Sequence, residues 1–390
     1  MPNNTASFRV IVLLGVVSLF ADVVYEGARS IIGPYLATFG ATGAAIGFIA
    51  GFSELLAYAI RMGSGRFARD QRFIWPTIGI GYLLTLVAAP ALALVNSWTA
   101  AAVLIFTERF GKGVRAPARD VVLAEAAGDN KGFAFGLHHT LDQTGAVIGP
   151  LAVAAILFYS HSYQLALGWL AIPGALAMLC LGTAWLTMKQ AQPAKPDSSA
   201  SPKLPRSFWF YSIALGFVAA GFVDFPLIAY GLTSHVHLSA SLVPIAYAVA
   251  MAAEAAAAIP LGKLFDKFGF NVVRILAWLC APIALLVFSH NLIVVFLGSL
   301  LWGAGMVFQQ SLAKAIVAQL IPSENRSIAY GAYGLVYGIC WFAGSFVIGW
   351  AFDHNVHTAI AISIALEVVG AILLLLFKMP VNKVAAPSAH

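Results

Sequence analysis

The sequence predicts an all-α integral membrane protein with twelve transmembrane helices in two pseudo-symmetric halves. Its 390 residues are 61% hydrophobic and 10% charged, with a mean hydropathy of +0.87, which leaves too little polar surface to cover a soluble domain. The apolar segments run to about 20 residues each, the length at which a helix crosses the hydrocarbon core of a bilayer. Polar motifs recur along the chain with a period of about 200 residues, which indicates a duplication.

The duplication preserves an acidic residue inside an apolar segment. The recurring motifs are Phe20-Ala-Asp22 with Phe222-Val-Asp224, and Asn130-Lys131-Gly-Phe-Ala134-Phe-Gly136 with Asn325-Arg326-Ser-Ile-Ala329-Tyr-Gly331. Because an ionisable group inside a bilayer is costly, its retention in both copies indicates a role in a solute or proton pathway.

The predicted membrane segments follow the apolar runs of the sequence. They cover residues 9–37, 43–62, 74–95, 98–118, 133–158, 163–187, 208–232, 239–261, 272–289, 292–317, 327–352 and 358–378. Residues 189–207 are rich in Pro, Ser and Lys, a composition typical of a solvated linker. We therefore predict an N-terminal half at 1–188 and a C-terminal half at 208–390. An even number of crossings gives the two halves a parallel orientation.

Basic residues predict the orientation of the chain in the membrane. Lys and Arg occur in the loops at one end of the predicted bundle and in the linker, whereas the opposite loops contain neither. The positive-inside rule then places both termini in the cytoplasm, and we expect the cytoplasmic (inner) membrane. The formal net charge of +6 reflects this bias and does not indicate a nucleic-acid partner.

Four short motifs near the ends of the predicted segments carry a family resemblance. They are Gly262-Lys-Leu-Phe-Asp266-Lys267-Phe-Gly269, Gly65-Arg66-Phe-Ala-Arg69-Asp70, Arg109-Phe-Gly-Lys112-Gly113 and Gly145-Ala-Val-Ile-Gly149-Pro150. Together they resemble motifs of the major facilitator superfamily of secondary transporters. The resemblance implies a monomer in which two six-helix halves rock around a central cavity. The last motif is similar to one associated with antiporters, which favours export.

The resemblance also implies a set of gating residues that hold the two halves in one of their alternating states. The loop between segments eight and nine would contribute an acid and two bases, and the corresponding first-half loop and the Gly-Pro motif would contribute the others. The predicted gating residues are Arg66, Arg69, Asp70, Lys263, Asp266, Lys267, Gly145, Gly149 and Pro150.

Charged residues within the predicted segments identify a candidate proton pathway. Asp22, Glu26 and Arg29 lie within about 60° of one another on a helix, so they form one polar stripe that must face protein or water. A carboxylate in such a stripe is suited to carry a proton, and the alternative is a fixed salt-bridge network that only holds helices together. The candidate proton-coupling residues are Asp22, Glu26, Arg29, Glu54, Asp142 and Asp224.

A second group of residues has side chains suited to bind a solute. Arg109 and Lys112 lie on one side of the fourth segment and would attract an anion, whereas tyrosine and glutamine supply neutral hydrogen bonds. The candidate substrate-binding residues are Tyr25, Arg109, Lys112, His138, Gln309, Tyr333 and Tyr337.

We therefore predict a secondary transporter of a small polar, anionic organic solute that is coupled to a proton gradient and needs no cofactor. No Walker-type nucleotide-binding loop is present, and no protease or hydrolase motif supports an enzyme. One alternative is a carrier of metal ions or metal chelates that uses Asp22, Glu26, His138 and Asp142. Another is a non-transporting receptor or an enzyme on the same scaffold.

Overall fold

The computed structural model of the protein describes residues 5–65, 70–128, 130–188, 203–322 and 325–379. The helices of the first half are α1 Thr5–Arg29, α2 Ile32–Thr38, α3 Gly43–Ser64, α4 Gln71–Ala91, α5 Trp98–Ala127, α6 Lys131–Ser160, α7 Tyr163–Trp169 and α8 Ala171–Thr187. Those of the second half are α9 Arg206–Gly221, α10 Phe225–Ser234, α11 Leu242–Phe268, α12 Phe270–Cys280, α13 Ile283–Val287, α14 Leu292–Val307, α15 Ala313–Leu320, α16 Arg326–His354 and α17 Val356–Leu376. Most of the linker predicted at 189–207 lies outside the described residues.

Helices account for all the predicted membrane segments. Within the described residues, eleven helical spans are long and apolar enough to cross a bilayer. The remaining predicted segment, 98–118, lies in α5, which has 30 residues. This helix is long enough to span a membrane, but it carries Glu108, Arg109, Lys112 and Arg115 within two turns. A count of twelve is consistent with this architecture.

Among the predicted segments that are divided between two helices, two carry a charged residue at the break. Segment 9–37 divides into α1 and α2 after Arg29, and segment 208–232 divides into α9 and α10 at residues 222–224. Asp224 has extended backbone dihedral angles immediately before α10, and Pro226 occupies the first turn of that helix. The indole nitrogen of Trp302 donates a hydrogen bond to the Val223 carbonyl over 2.9 Å, which satisfies a backbone group released by the break.

The two halves meet closely at the end of the bundle where α3 begins and α16 ends, which we call the sealed end. Helix α3 packs against α16 through glycines, and an added Cβ at Gly47 would overlap the Ser345 carbonyl. At the same end, a Cβ at Gly33 of α2 would overlap the Pro226 carbonyl of α10. The Asp353 carboxylate accepts hydrogen bonds from the backbone nitrogens of Gly43 and Ala44, at 2.5 and 2.8 Å. This pairing across the halves closes the sealed end.

Helix α6 approaches α1 closely through two residues of the predicted Gly-Pro motif. Gly145 faces the Leu19 carbonyl and Gly149 faces the Val23 carbonyl, and neither position has room for a Cβ. Gly145 and Gly149 therefore allow α6 to pack closely against α1 within the first half. Pro150 continues α6 as a buried residue inside the helix.

The predicted loop between segments eight and nine is mostly helix. Segment eight was expected to end at residue 261, but α11 continues to Phe268. Gly269, with φ +58, then separates α11 from α12. Lys263, Asp266 and Lys267 are therefore exposed on the last turns of α11 rather than in a loop. The apolar count misplaced the boundary because charged residues on an exposed helix end resemble a loop in the sequence.

Candidate functional site

A polar cavity of about 290 Å³ lies between the two halves. Its lining begins near the middle of α1 and reaches Arg61 and Arg119 at the end opposite the sealed end. The Arg61 side chain is 54% exposed, so the cavity communicates with solvent at that end. The charged residues of the lining are Asp22, Glu26, Arg29, Glu54, Arg61, Arg109, Lys112, Arg115, Arg119, Asp142, Glu254 and Lys314.

Most of the predicted site residues meet at this cavity. The predicted residues that line it are Asp22, Tyr25, Glu26, Arg29, Glu54, Arg109, Lys112, Asp142 and Tyr337. Asp224 lies beside it, in contact with Arg29. Three predicted residues are not part of its lining. Gln309 is buried and accepts a hydrogen bond from Tyr337 over 2.9 Å, whereas His138 and Tyr333 are buried among the helices.

The floor of the cavity is a chain of alternating charges that joins the two halves. Glu54 contacts two arginines of the first half, at 3.0 Å from Arg109 Nη2 and 3.2 Å from Arg29 Nη1. The second nitrogen of the Arg29 fork lies 2.8 Å from Asp224 of the second half. At the other end, Arg109 Nε lies 3.4 Å from a carboxylate oxygen of Glu108. We call Glu108, Arg109, Glu54, Arg29 and Asp224 the charge chain.

Tyr25 is at the centre of the charge chain. Its hydroxyl accepts a hydrogen bond from Arg29 Nη1 over 2.7 Å and a second from Arg109 Nη1. The Lys112 ammonium lies 3.7 Å from the centre of its ring, a distance at which a cation is attracted by the aromatic face. Tyr25 therefore orients three cations at the floor of the cavity.

Two further contacts of the second half reach the charged residues. The Tyr247 hydroxyl donates a hydrogen bond to Glu26 over 2.5 Å. The Trp341 indole donates to Asp224 over 3.1 Å. The polar stripe of α1 is thus bound to both halves, which is the arrangement needed if its charges respond to movement of one half against the other.

A short π-helix, Phe308–Leu312, connects α14 to α15 and determines which glutamine faces the cavity. The wider turn places Gln310 and Lys314 in the lining, while Gln309 turns toward Tyr337. Such π-helical insertions are frequent at functional sites because they re-aim side chains. Gln309, one of the predicted solute-binding residues, therefore does not face the cavity in this structure.

Three cations in the lining, Lys112, Arg115 and Lys314, have no acidic partner in the described part of the chain, and the two lysines among them also lack a side-chain hydrogen bond there. Lys112 belongs to the first half and Lys314 to the second, and neither ammonium lies within 4.0 Å of a carboxylate there. Arg115, by contrast, donates to the Thr85 hydroxyl over 2.7 Å and stacks on the Tyr82 ring. Lys112 and Lys314 are therefore the cations available to a solute.

The acids of the lining differ in their partners. Asp142 accepts a hydrogen bond from the Ser18 hydroxyl, and Glu26 accepts one from Tyr247. Asp22 and Glu254 form no hydrogen bond or ion pair with the residues that the structure describes. These two carboxyl groups face the cavity without a fixed counter-charge.

The predicted metal ligands are not assembled into a site. His138 is 5% exposed and is not part of the cavity lining that contains Asp22, Glu26 and Asp142. Across the described ranges, no group of three or more His, Cys, Asp or Glu side chains is arranged to bind a metal ion.

Two of the predicted gating residues, Arg66 and Arg69, lie outside the part of the chain that the structure describes. Asp70 accepts a hydrogen bond from the Arg72 backbone nitrogen over 2.9 Å and caps the start of α4.

Several cavity residues were missed by the sequence analysis. Tyr58, Tyr247 and Trp341 line the cavity, and Glu108 contributes to the charge chain. A buried tyrosine or tryptophan in an apolar helix carries no signal that separates it from core packing. Glu108 does carry one, since it is an acid next to a predicted cavity arginine and one turn before Lys112.

The fold and the cavity define a multi-pass helical membrane protein with a charged chamber between two halves. The chain belongs to the Major Facilitator Superfamily, which its residues 14–269 and 212–390 match. Membership of this family supports a secondary transporter.

Relatives and solved structures agree with this assignment. An uncharacterized protein of Mycobacterium tuberculosis is 37% identical over 387 residues, covering 96% of this chain and 94% of the relative. An uncharacterized MFS-type transporter of Methanocaldococcus jannaschii is 24% identical over 389 residues, covering 96% of each chain. A bacterial homolog of the human lysosomal transporter Spinster, in an inward-facing and occupied conformation, superposes with a TM-score of 0.78 at 16% identity, covering 96% of this chain and 97% of the other. This last similarity concerns the fold.

Proposed function

We propose that this protein is a proton-coupled transporter that exports small organic anions across the cytoplasmic (inner) membrane, as a monomer with both termini in the cytoplasm. The observation that carries the proposal is the pair Lys112 and Lys314, which face one cavity from opposite halves without a carboxylate partner in the described part. An anion bound between these two lysines would contact both halves, so its binding can be coupled to the movement of one half against the other. Seven basic and five acidic side chains in the lining also favour a negative solute.

The aromatic lining supports an organic solute over a bare inorganic anion. Four tyrosines and a tryptophan surround the charged groups, namely Tyr25, Tyr58, Tyr247, Tyr337 and Trp341. Aromatic rings offer apolar contact area, while their hydroxyl and indole groups provide hydrogen bonds. A solute with a carboxylate or phosphate group and a planar or apolar body matches both features.

Proton coupling is supported by the unpaired carboxyl groups. Asp22 and Glu254 face the cavity from opposite halves without a fixed partner among the described residues. Each can be neutralised by a proton without breaking an ion pair, whereas Glu54 is held by two arginines. Asp22 and Glu254 are therefore the carboxyl groups best suited to exchange protons with the cavity. The direction of export is favoured by the antiporter-like Gly-Pro motif at residues 145–150.

We expect Lys112→Gln and Lys314→Gln each to weaken binding of the transported anion by about 10- to 100-fold, because each removes one charge-assisted hydrogen bond of about 1.5 to 3 kcal/mol. The measurement is thermal unfolding of the purified protein with a panel of organic anions, organic cations and divalent metals. A ligand that binds only the folded state raises the midpoint. The matched control is Lys378→Gln, which removes an exposed lysine beyond the end of α17.

The same panel separates the proposal from its rivals. Stabilisation by an organic anion that is lost in both cavity variants and retained in the control supports the anion transporter. Stabilisation by metals alone, or by anions equally in all variants, contradicts it. Uptake of the selected anion into vesicles, with and without an imposed pH gradient, then tests proton coupling and direction.

A further inference from the structure

A second, smaller cavity lies on the sealed side of the charge chain. Its volume is about 20 Å³, enough for about one water molecule. Tyr25, Arg29 and Arg109 line both this cavity and the larger one, so they form the layer that separates the two. Glu108 and Asp224 line the small cavity but not the large one. The small cavity is thus the part of the central pathway that faces the closed side.

The charges of the chain do not balance. It contains two guanidinium groups, Arg29 and Arg109, and three carboxyl groups, on Glu54, Glu108 and Asp224. All five residues are largely buried, with Glu108 at 6% and Asp224 at 1% exposure. A buried charge without a counter-charge is costly, so a chain of this composition favours one proton on one of its carboxyl groups.

The contacts identify which carboxyl group holds that proton. Glu54 contacts both arginines, and Asp224 contacts Arg29 at 2.8 Å and the Trp341 indole at 3.1 Å. Glu108 has only the longest contact of the chain, 3.4 Å from its Oε2 to Arg109 Nε. Its other oxygen, Oε1, is buried without a hydrogen-bond partner among the described residues. Neutralising Glu108 therefore weakens fewer contacts than neutralising Glu54 or Asp224 would.

We infer that Glu108 is a proton-binding site, protonated in this conformation and loaded from the sealed side through the small cavity. When that side opens, the ionised carboxylate takes a proton from a hydronium ion: one O–H bond of hydronium breaks, one O–H bond forms on the carboxyl group, and a water molecule is left. When Glu108 loses the proton to water, it competes with Glu54 for Arg109 and weakens the link through Arg29 to Asp224. This site rests on the proposed proton coupling and gives it a second acid, separated from Asp22 and Glu254 by the arginine layer.

The surroundings of Glu108 are consistent with an exchangeable proton. The charged and titratable groups around it are Arg109, Lys112 and Arg115 on α5, Tyr25, Glu26 and Arg29 on α1, Glu54 on α3, Tyr82 on α4, and Asp224 before α10. Lys112 and Glu26 line the large cavity, where Lys112 lies against the Tyr25 ring and Glu26 is bound by Tyr247, and Arg115 is turned toward Thr85 and Tyr82. None of these three residues forms an ion pair with the charge chain in the described part of the protein, so the excess carboxyl group of the chain remains.

The test is infrared difference spectroscopy of the full chain in lipid nanodiscs, without solute, comparing the wild type with Glu108→Gln and with Glu367→Gln as the control. The carbonyl stretch of a protonated carboxylic acid is distinct from that of a carboxylate. We expect a protonated-carboxyl band at neutral pH that is lost in Glu108→Gln and retained in Glu367→Gln, which leaves the charge chain intact. A band of equal intensity in the wild type and Glu108→Gln overturns the inference.

Thermal unfolding gives an independent readout and a matched control. A neutral Glu108 is replaced by glutamine without loss of charge, so the midpoint of Glu108→Gln should equal that of the wild type. Glu54→Gln should unfold several degrees lower, because it removes the carboxylate that Arg29 and Arg109 share. Equal destabilisation by both variants would mean that Glu108 is ionised, and it would reject the site. Glu367→Gln, which changes a buried acid of α17 outside both cavities, should remove a different carboxyl band. Because no solute is present, failure of anion transport would leave these results unaffected.

Discussion

Replacing Arg29 by methionine is expected to reduce the transport rate by about 100-fold or more. It should also lower the free energy of unfolding by about 3 to 5 kcal/mol, the cost of removing one partner from a buried ion pair. Arg29 is 5% exposed and joins Glu54 of the first half to Asp224 of the second. Its removal leaves Asp224 with the Trp341 hydrogen bond as its one remaining side-chain partner among the described residues. The measurements are solute exchange in vesicles and the free energy of unfolding.

Three variants separate the charge from the geometry of Arg29. Arg29→Lys keeps the charge but cannot contact two carboxylates through a planar fork, so we expect intermediate stability and little transport. Arg29→Met combined with Asp224→Asn removes both partners of this ion pair, so no charge is left unpaired at Asp224, and the double variant should recover stability without transport. Arg72→Met, at an exposed position, is the control and should behave as wild type. Normal exchange by Arg29→Met would contradict a role for the link between the halves.

The charged lining could be predicted from the sequence because ionisable side chains inside a membrane almost always face the interior of the helix bundle or a water-filled cavity. Asp22, Glu26 and Arg29 share one helix face, and lipid cannot solvate that face, so it had to meet protein or water. The same argument selected Glu54, Arg109, Lys112 and Asp142, all of which line the cavity. Here composition and helical period were sufficient.

The pairing of these charges could not be predicted, because it depends on breaks in helical regularity. Pseudosymmetry predicted that Asp224 would be the counterpart of Asp22, but the break at residues 222–224 aims it at Arg29. In the same way, the π-helix at Phe308–Leu312 turns Gln310 to the cavity and Gln309 away. Tyr247 and Trp341 depend on contact between the halves, which no local pattern encodes.

Leucine at Gly47 should prevent the sealed end from closing and so reduce transport by 100-fold or more, while the protein remains folded. Gly47 is buried in α3, and even a single added carbon would overlap the Ser345 carbonyl of α16. That carbonyl is helix backbone and cannot turn away as a flexible side chain does. The steric conflict exists only when the halves meet at this end, so the opposite conformation should be favoured.

The conformational effect can be measured at Ser53, which is 1% exposed and lines the small cavity. With Ser53→Cys as the only cysteine, a membrane-impermeant thiol reagent applied from the sealed side should react slowly with the wild-type background and rapidly with Gly47→Leu. Gly182→Leu is the matched control, because no atom of the described residues lies within 4 Å of a Cβ at that position. If Gly47→Leu transports normally and leaves Cys labelling slow, the glycine contacts are not the seal. If labelling is fast and transport is lost, closure of this end is a required step of the cycle, and the small cavity beside Glu108 is the part of the pathway that opens to the other side of the membrane.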